Sequence, residues 1–192
     1  SYDLGVDIEL YDVLQRLLAA RPDLGTEAER IARSLLHEVT FEAVADEVEE
    51  AVQAVDLEDL NFRAGRHAWG YVEPTEAAWE ILEEAVGPFL DDMRRQIELG
   101  LEAEALEICQ GVVLGLYRVD RGKGGGLVEW APDFPAEAAA GAVETWRTGG
   151  DAGTKPPGTS SRRKCPQFPQ DFVDRLVPDW GVMIARVLPQ TR

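Results

Sequence analysis

Two histidines, His37 and His67, and two cysteines, Cys109 and Cys165, are the residues of this chain best suited to metal or nucleophile chemistry. Their spacing serves neither. The histidines lie thirty residues apart with no HxxxH or CxxC nearby, and zinc needs three or four ligands brought to one point. His37 reads as a helix-surface or partly buried residue. Cys109 sits among apolar residues in a helical pattern, the setting of a packed core thiol. Cys165 follows Arg162-Arg163-Lys164, and positive charge activates a thiol, but no base accompanies it. The carboxylate pairs Glu83/Glu84 and Asp91/Asp92 are adjacent in helical segments, so their side chains diverge and do not converge as an acid and a base would. Gly122 to Gly126 carries Lys123 but lacks the order of a phosphate-binding loop, and it reads as a hinge. No catalytic residue, metal site or cofactor is expected. The remaining candidate is a binding group on the 62–71 loop, where Arg63, Arg66, His67, Trp69 and Tyr71 offer charge and aromatic surface close together in sequence.

The elements that must position these residues are helical. Ile8, Tyr11, Leu14, Leu17 and Leu18 recur at spacings of three and four, which places them on one helix face. Thr26 and Glu29 form a capping box ahead of Ile31, Leu35 and Leu36. Thr40 suits the N-cap of a further helix with the stripe Phe41, Val44, Val48, Val52 and Val55. Its other face, Glu42, Asp46, Glu47, Glu49 and Glu50, is expected in water. Residues 57–72 are less regular, and Phe62, Trp69, Tyr71 and Trp79 are expected to form a small core beneath a loop. Pro74 suits the start of a helix with Trp79, Leu82 and Val86 inward. Gly87-Pro88 is expected to end or kink it, with Phe89, Leu90, Met93 and Ile97 continuing the pattern to Gly100. From Glu102 to Val119, Leu106, Cys109, Val112, Val113 and Leu116 supply large contacts. Gly111 and Gly115 form a small-xxx-small pair that lets a neighbouring helix approach closely. An extended segment is expected at Leu127–Trp130, and a short helix near 136–146. Residues 148–166 read as a Gly/Pro/Ser linker.

Charge narrows the partners. The chain carries −17 overall. Residues 145–192 hold eight basic and four acidic side chains, which leaves −21 on the preceding 144 residues. Clustered cations are what phosphate contacts require, so direct nucleic-acid binding is not expected. No apolar run is long enough to cross a bilayer, no secretory pattern precedes the first helix, and a cytoplasmic location is the expectation. The chain opens on Ser1 rather than Met, which is compatible with a fragment of a longer protein.

The Leu99-Gly100 turn followed by Glu104-Ala105-Leu106 resembles helical-hairpin repeats of the tetratricopeptide kind. The stretch from Tyr71-Val-Glu-Pro through Tyr117 is similar to helical segments of bacterial SWIM zinc-finger proteins, outside the zinc finger, whose CxC…CxH pattern is absent. These resemblances imply a scaffold or adaptor role and transfer no catalytic, metal-binding or nucleic-acid-binding residue.

The expectation is therefore an all-α protein, an antiparallel helical-hairpin bundle with an irregular C-terminal extension. Residues 1–120 form an acidic helical domain, 121–167 a Gly/Pro/Ser-rich connector, and 168–192 an apolar arm that docks on the body or on a partner chain. The expected function is non-enzymatic protein binding or scaffolding, through a protein partner or self-association. The alternative is a small enzyme or ligand binder that uses the 62–71 loop around His67.

Overall fold

The computed structural model describes residues 13, 16, 17, 20, 21, 24, 25, 39–67, 70–122, 125–149 and 167–188, with the backbone alone at residue 67. The chain forms two compact units, Ser1–Glu38 and Val39–Arg192, so the first structural division falls after Glu38 and not at residue 120. In the first unit, residues 13, 16, 17 and 20 are helical, and Val13 and Leu17 are exposed. The expected 26–29 capping box, the helix of Ile31, Leu35 and Leu36, and His37 lie outside the described residues. So do Lys123, Trp69, Arg162–Lys164 and Cys165.

The second unit is built of helices, and its first begins where the capping chemistry places it. Helix α1, Phe41–Gln53, starts after Thr40, whose hydroxyl accepts a hydrogen bond from the Ala43 amide at 3.4 Å. A second anion caps the same end from a distance in sequence. The Glu107 carboxylate accepts from the Phe41 amide at 2.9 Å, where the helix dipole favours negative charge. Val44, Val48 and Val52 are buried, as their spacing requires.

Residues 57–72, expected as an irregular loop, are ordered secondary structure. Asp56 accepts from the Glu58 amide at 3.0 Å and starts α2, Leu57–Arg63. Strands β1, Gly65–His67, and β2, Gly70–Val72, then pair as an antiparallel hairpin. The expected small aromatic core is not there: Phe62 and Tyr71 are 78% and 61% exposed. Leu60 turns inward in their place, because a helix this short buries only one side.

Helix α3, Pro74–Glu98, opens with Pro74 in its first turn and runs unbroken through Pro88. Proline there removes one backbone donor, but burial of Ile81, Leu82, Val86, Met93 and Ile97 along the whole helix holds it together. Gly100, at φ +74°, reverses the chain. Helix α4, Glu102–Arg121, then returns antiparallel to α3.

Helix α4 is the centre of the unit. Residues 108–116 are buried without a break, the pattern of a helix covered on all sides. Leu106, expected as a large core contact, is only half-buried. The most extensive helix interface joins α4 to α1. Phe41 meets Glu107, Val44 lies over Gly111, Val48 lies over Gly115, and Asp46 pairs with Arg118. Both helices therefore advance in the same direction, an arrangement that the intervening α2, hairpin and α3 make possible. A Cβ on Gly111 would stand 2.4 Å from the Val44 Cβ, and one on Gly115 would stand 2.7 Å from the Ala45 carbonyl oxygen. The two glycines let the backbones meet.

The segment after α4 differs from a plain connector. Gly126–Glu129 forms one tight helical turn rather than an extended strand, and Leu127 at its centre is buried. Helix α5, Phe134–Thr148, follows, with Phe134, Ala139, Ala142, Val143 and Trp146 in the core.

The C-terminal segment packs on the body of its own chain. It comprises α6, Gln170–Leu176, a turn at Pro178–Trp180, and α7, Gly181–Val187. A chain of edge-to-face aromatic contacts ties it down: Trp146 to Phe168 at 5.5 Å, Phe168 to Phe172 at 5.7 Å, and Phe172 to Phe41 at 5.6 Å. Trp180 packs against Tyr117 at 5.1 Å. Beside it, the Tyr117 hydroxyl and the Arg121 guanidinium both donate to Asp179 at 2.8 Å.

Candidate functional site

The sequence points to the α2–hairpin segment, and the structure separates its candidate residues. Arg63 ends α2 and is committed to α3. Its two terminal nitrogens donate to both carboxylate oxygens of Glu84, at 2.7 and 2.6 Å. Paired hydrogen bonds of this kind fix orientation as well as charge. They hold the Glu84 carboxyl below the usual carboxylate range and raise the already high value of Arg63. Arg63 thus anchors the segment and does not face an open site.

Arg66 and Tyr71 are brought together. They are direct cross-strand partners, so their side chains share one face of the hairpin, and both are exposed. Val72 faces the core and supports the hairpin from beneath. His67 pairs through its backbone with Gly70. The His67 side chain and Trp69 lie outside the described residues. What the segment presents is a cation beside a phenol, with Phe62 exposed on the preceding helix.

A second site was not legible in sequence. A groove of about 490 Å³ runs between α3 and α5. Trp79 and Phe134 meet edge-to-face at one end, with ring centroids 5.2 Å apart. Val86, Leu90 and Phe134 supply apolar surface. Gly87, Ala138 and Gly141 keep the walls short. Nothing lies within 4 Å of where a Cβ would stand on either glycine. Glu83 and Glu137 stand at the rim. The indole N–H of Trp79 donates to Glu83 at 3.0 Å, and Arg94 donates to Asp91 at 2.6 Å. The rim therefore offers carboxylates, while its one lining guanidinium has an acid beside it.

Neither place holds catalytic machinery among the described residues. No group of three or more His, Cys, Asp or Glu is arranged to hold a metal ion there. Cys109 is fully buried, and desolvation pushes its thiol far above its ordinary value, where it is a poor nucleophile. Glu83 and Glu84 diverge, one toward Trp79 and the other toward Arg63. No described helix is long and apolar enough to cross a membrane. Comparison of the chain with protein-family models, with curated proteins and with solved structures finds no match.

Proposed function

We propose that this chain is a non-enzymatic protein-binding or scaffold module, acting in the cytoplasm on a protein partner or a second copy of itself, without direct contact to nucleic acid. One observation carries the reading. Phe62 and Tyr71 stand 78% and 61% exposed on a segment that is firmly held to the body. Large aromatic side chains seldom face water without a use, and aromatic residues beside arginine are the groups that dominate protein interfaces. Here they flank Arg66, and the Arg63–Glu84 pair and the buried Leu60 fix the base of the segment. A preformed surface of this kind loses little conformational freedom on binding. The resemblance to helical-hairpin scaffolds supports the same class of role.

The test compares the intact chain with a Phe62→Ser/Tyr71→Ser double variant. Both side chains are largely outside the core, so the melting temperature should change by no more than about 2 °C. Saturable crosslinking to a partner, or self-association in sedimentation, should be present in the parent chain and lost in the variant. Equal binding by both proteins, or none by either, would remove the reading.

A further inference from the structure

We propose that the α3/α5 groove seats an amphipathic helix of a partner protein, with an apolar stripe flanked by lysine or arginine. This rests on the reading of the chain as an interaction module, and it concerns a different surface from Phe62 and Tyr71.

The same protein shows how such a groove is filled. Gly111 and Gly115 bring α4 so close to α1 that Val44 and Val48 occupy the places of the missing side chains. Gly87 and Gly141 form a comparable gap between α3 and α5, yet the space above each is open. Glycine in a helix interior weakens the helix, and no contact within this unit offsets that at either position. A helix about 10 Å across can settle between two others only where the facing side chains are short. Gly87, Ala138 and Gly141 meet that condition, and Phe134, Val86 and Leu90 offer the apolar floor.

The rim selects the charge of the occupant. The Trp79 indole holds Glu83 at the mouth, Glu137 stands on the facing helix, and Asp91 accompanies Arg94. An incoming acidic helix would meet two carboxylates, whereas a basic one would pair with them. The −17 charge of the chain adds long-range attraction for the same class of partner.

Fluorescence anisotropy on the full chain tests this with a labelled synthetic helix of roughly five turns, carrying a Leu/Ala stripe flanked by lysines. Two controls accompany it: the same stripe flanked by glutamates, and the lysine peptide with its stripe scrambled. The stripe–lysine peptide should bind saturably, at least roughly tenfold more tightly than either control. Gly141→Leu fills the groove and should weaken binding by a similar factor. Glu83→Lys/Glu137→Lys, which leaves the groove's shape unaltered, should do the same. Phe62→Ser/Tyr71→Ser should not affect this binding. Absence of saturable binding would overturn the proposal, as would equal binding of the scrambled cation or indifference to both groove variants. Self-association that Gly141→Leu abolishes would assign the groove to a second copy and also overturn it. If the peptide fails while Phe62→Ser/Tyr71→Ser still abolishes partner capture, the groove proposal falls and the interaction-module reading stands. Failure of both assays removes both.

Discussion

At the scale of single residues, the glycines carry the most information, and the same substitution should have opposite signs at two of them. Gly111→Ala drives a methyl group to 2.4 Å from the Val44 Cβ and 2.9 Å from the Phe41 carbonyl oxygen. A clash with a packed helix forces the helices apart, and overpacking of this kind costs about 1–3 kcal/mol. Gly141→Ala meets nothing within 4 Å. It restricts the unfolded chain and improves a helix interior, so it should add about 0.5–1 kcal/mol. Urea denaturation of the two variants checks both signs. Equal shifts would contradict the different packing of the two positions. Sequence alone marks Gly111 and Gly115 through their spacing, which signals close approach of another helix. It cannot distinguish them from Gly87 and Gly141, because whether a glycine is covered depends on a neighbour remote along the chain.

At the scale of elements, the α2–hairpin is the piece that sequence reading described least well. Its glycines and aromatics suggest a loop with a small core. The structure makes it a capped helix and a hairpin that bury Leu60 and support Val72, leaving Phe62 and Tyr71 outside. The reason is size: seven residues of α2 offer one inner position, and a three-residue strand pair offers little more. Attachment then depends on the Arg63–Glu84 contact between α2 and α3. Because this contact depresses the folded-state pKa of Glu84, its contribution is present above the unfolded-state value and is lost as pH falls through the folded one. Carbon-detected NMR titration should place the Glu84 midpoint below the ordinary glutamate value of about 4.3, and Arg63→Gln should return it upward. Both groups are solvent-exposed, so added salt should also weaken the shift. A midpoint that ignores Arg63→Gln would show that the pair does not anchor the segment.

At the scale of the whole molecule, the second unit is organised around α4, and its stability should follow burial rather than charge count. Leu116 is fully buried in that helix, while Glu47 lies on the exposed side of α1. Leu116→Asp places a carboxylate where nothing can hydrate it and should abolish the cooperative thermal transition seen by circular dichroism. Glu47→Lys should change stability by no more than about 0.5 kcal/mol. Similar losses from both would contradict the assigned interior. The C-terminal segment belongs to the same interior. Phe168, Phe172, Trp180 and Ile184 are buried, consistent with a stretch too apolar to remain in water.

The sequence by itself determined the helical class, the turn at Gly100, the Thr40 cap, the inner stripe of α1 and the close approach at Gly111 and Gly115. Each of these follows from local chemistry: periodicity, a free amide that needs an acceptor, or the absence of a side chain. Only the tertiary structure decided that α1 runs in the same direction as α4, that Glu107 caps a helix 66 residues away, that Arg63 is taken up by Glu84, and that α3 and α5 leave a groove between them. Those features depend on which distant surfaces meet. No spacing along the chain encodes that, because a stripe shows that a helix must be covered without showing by what.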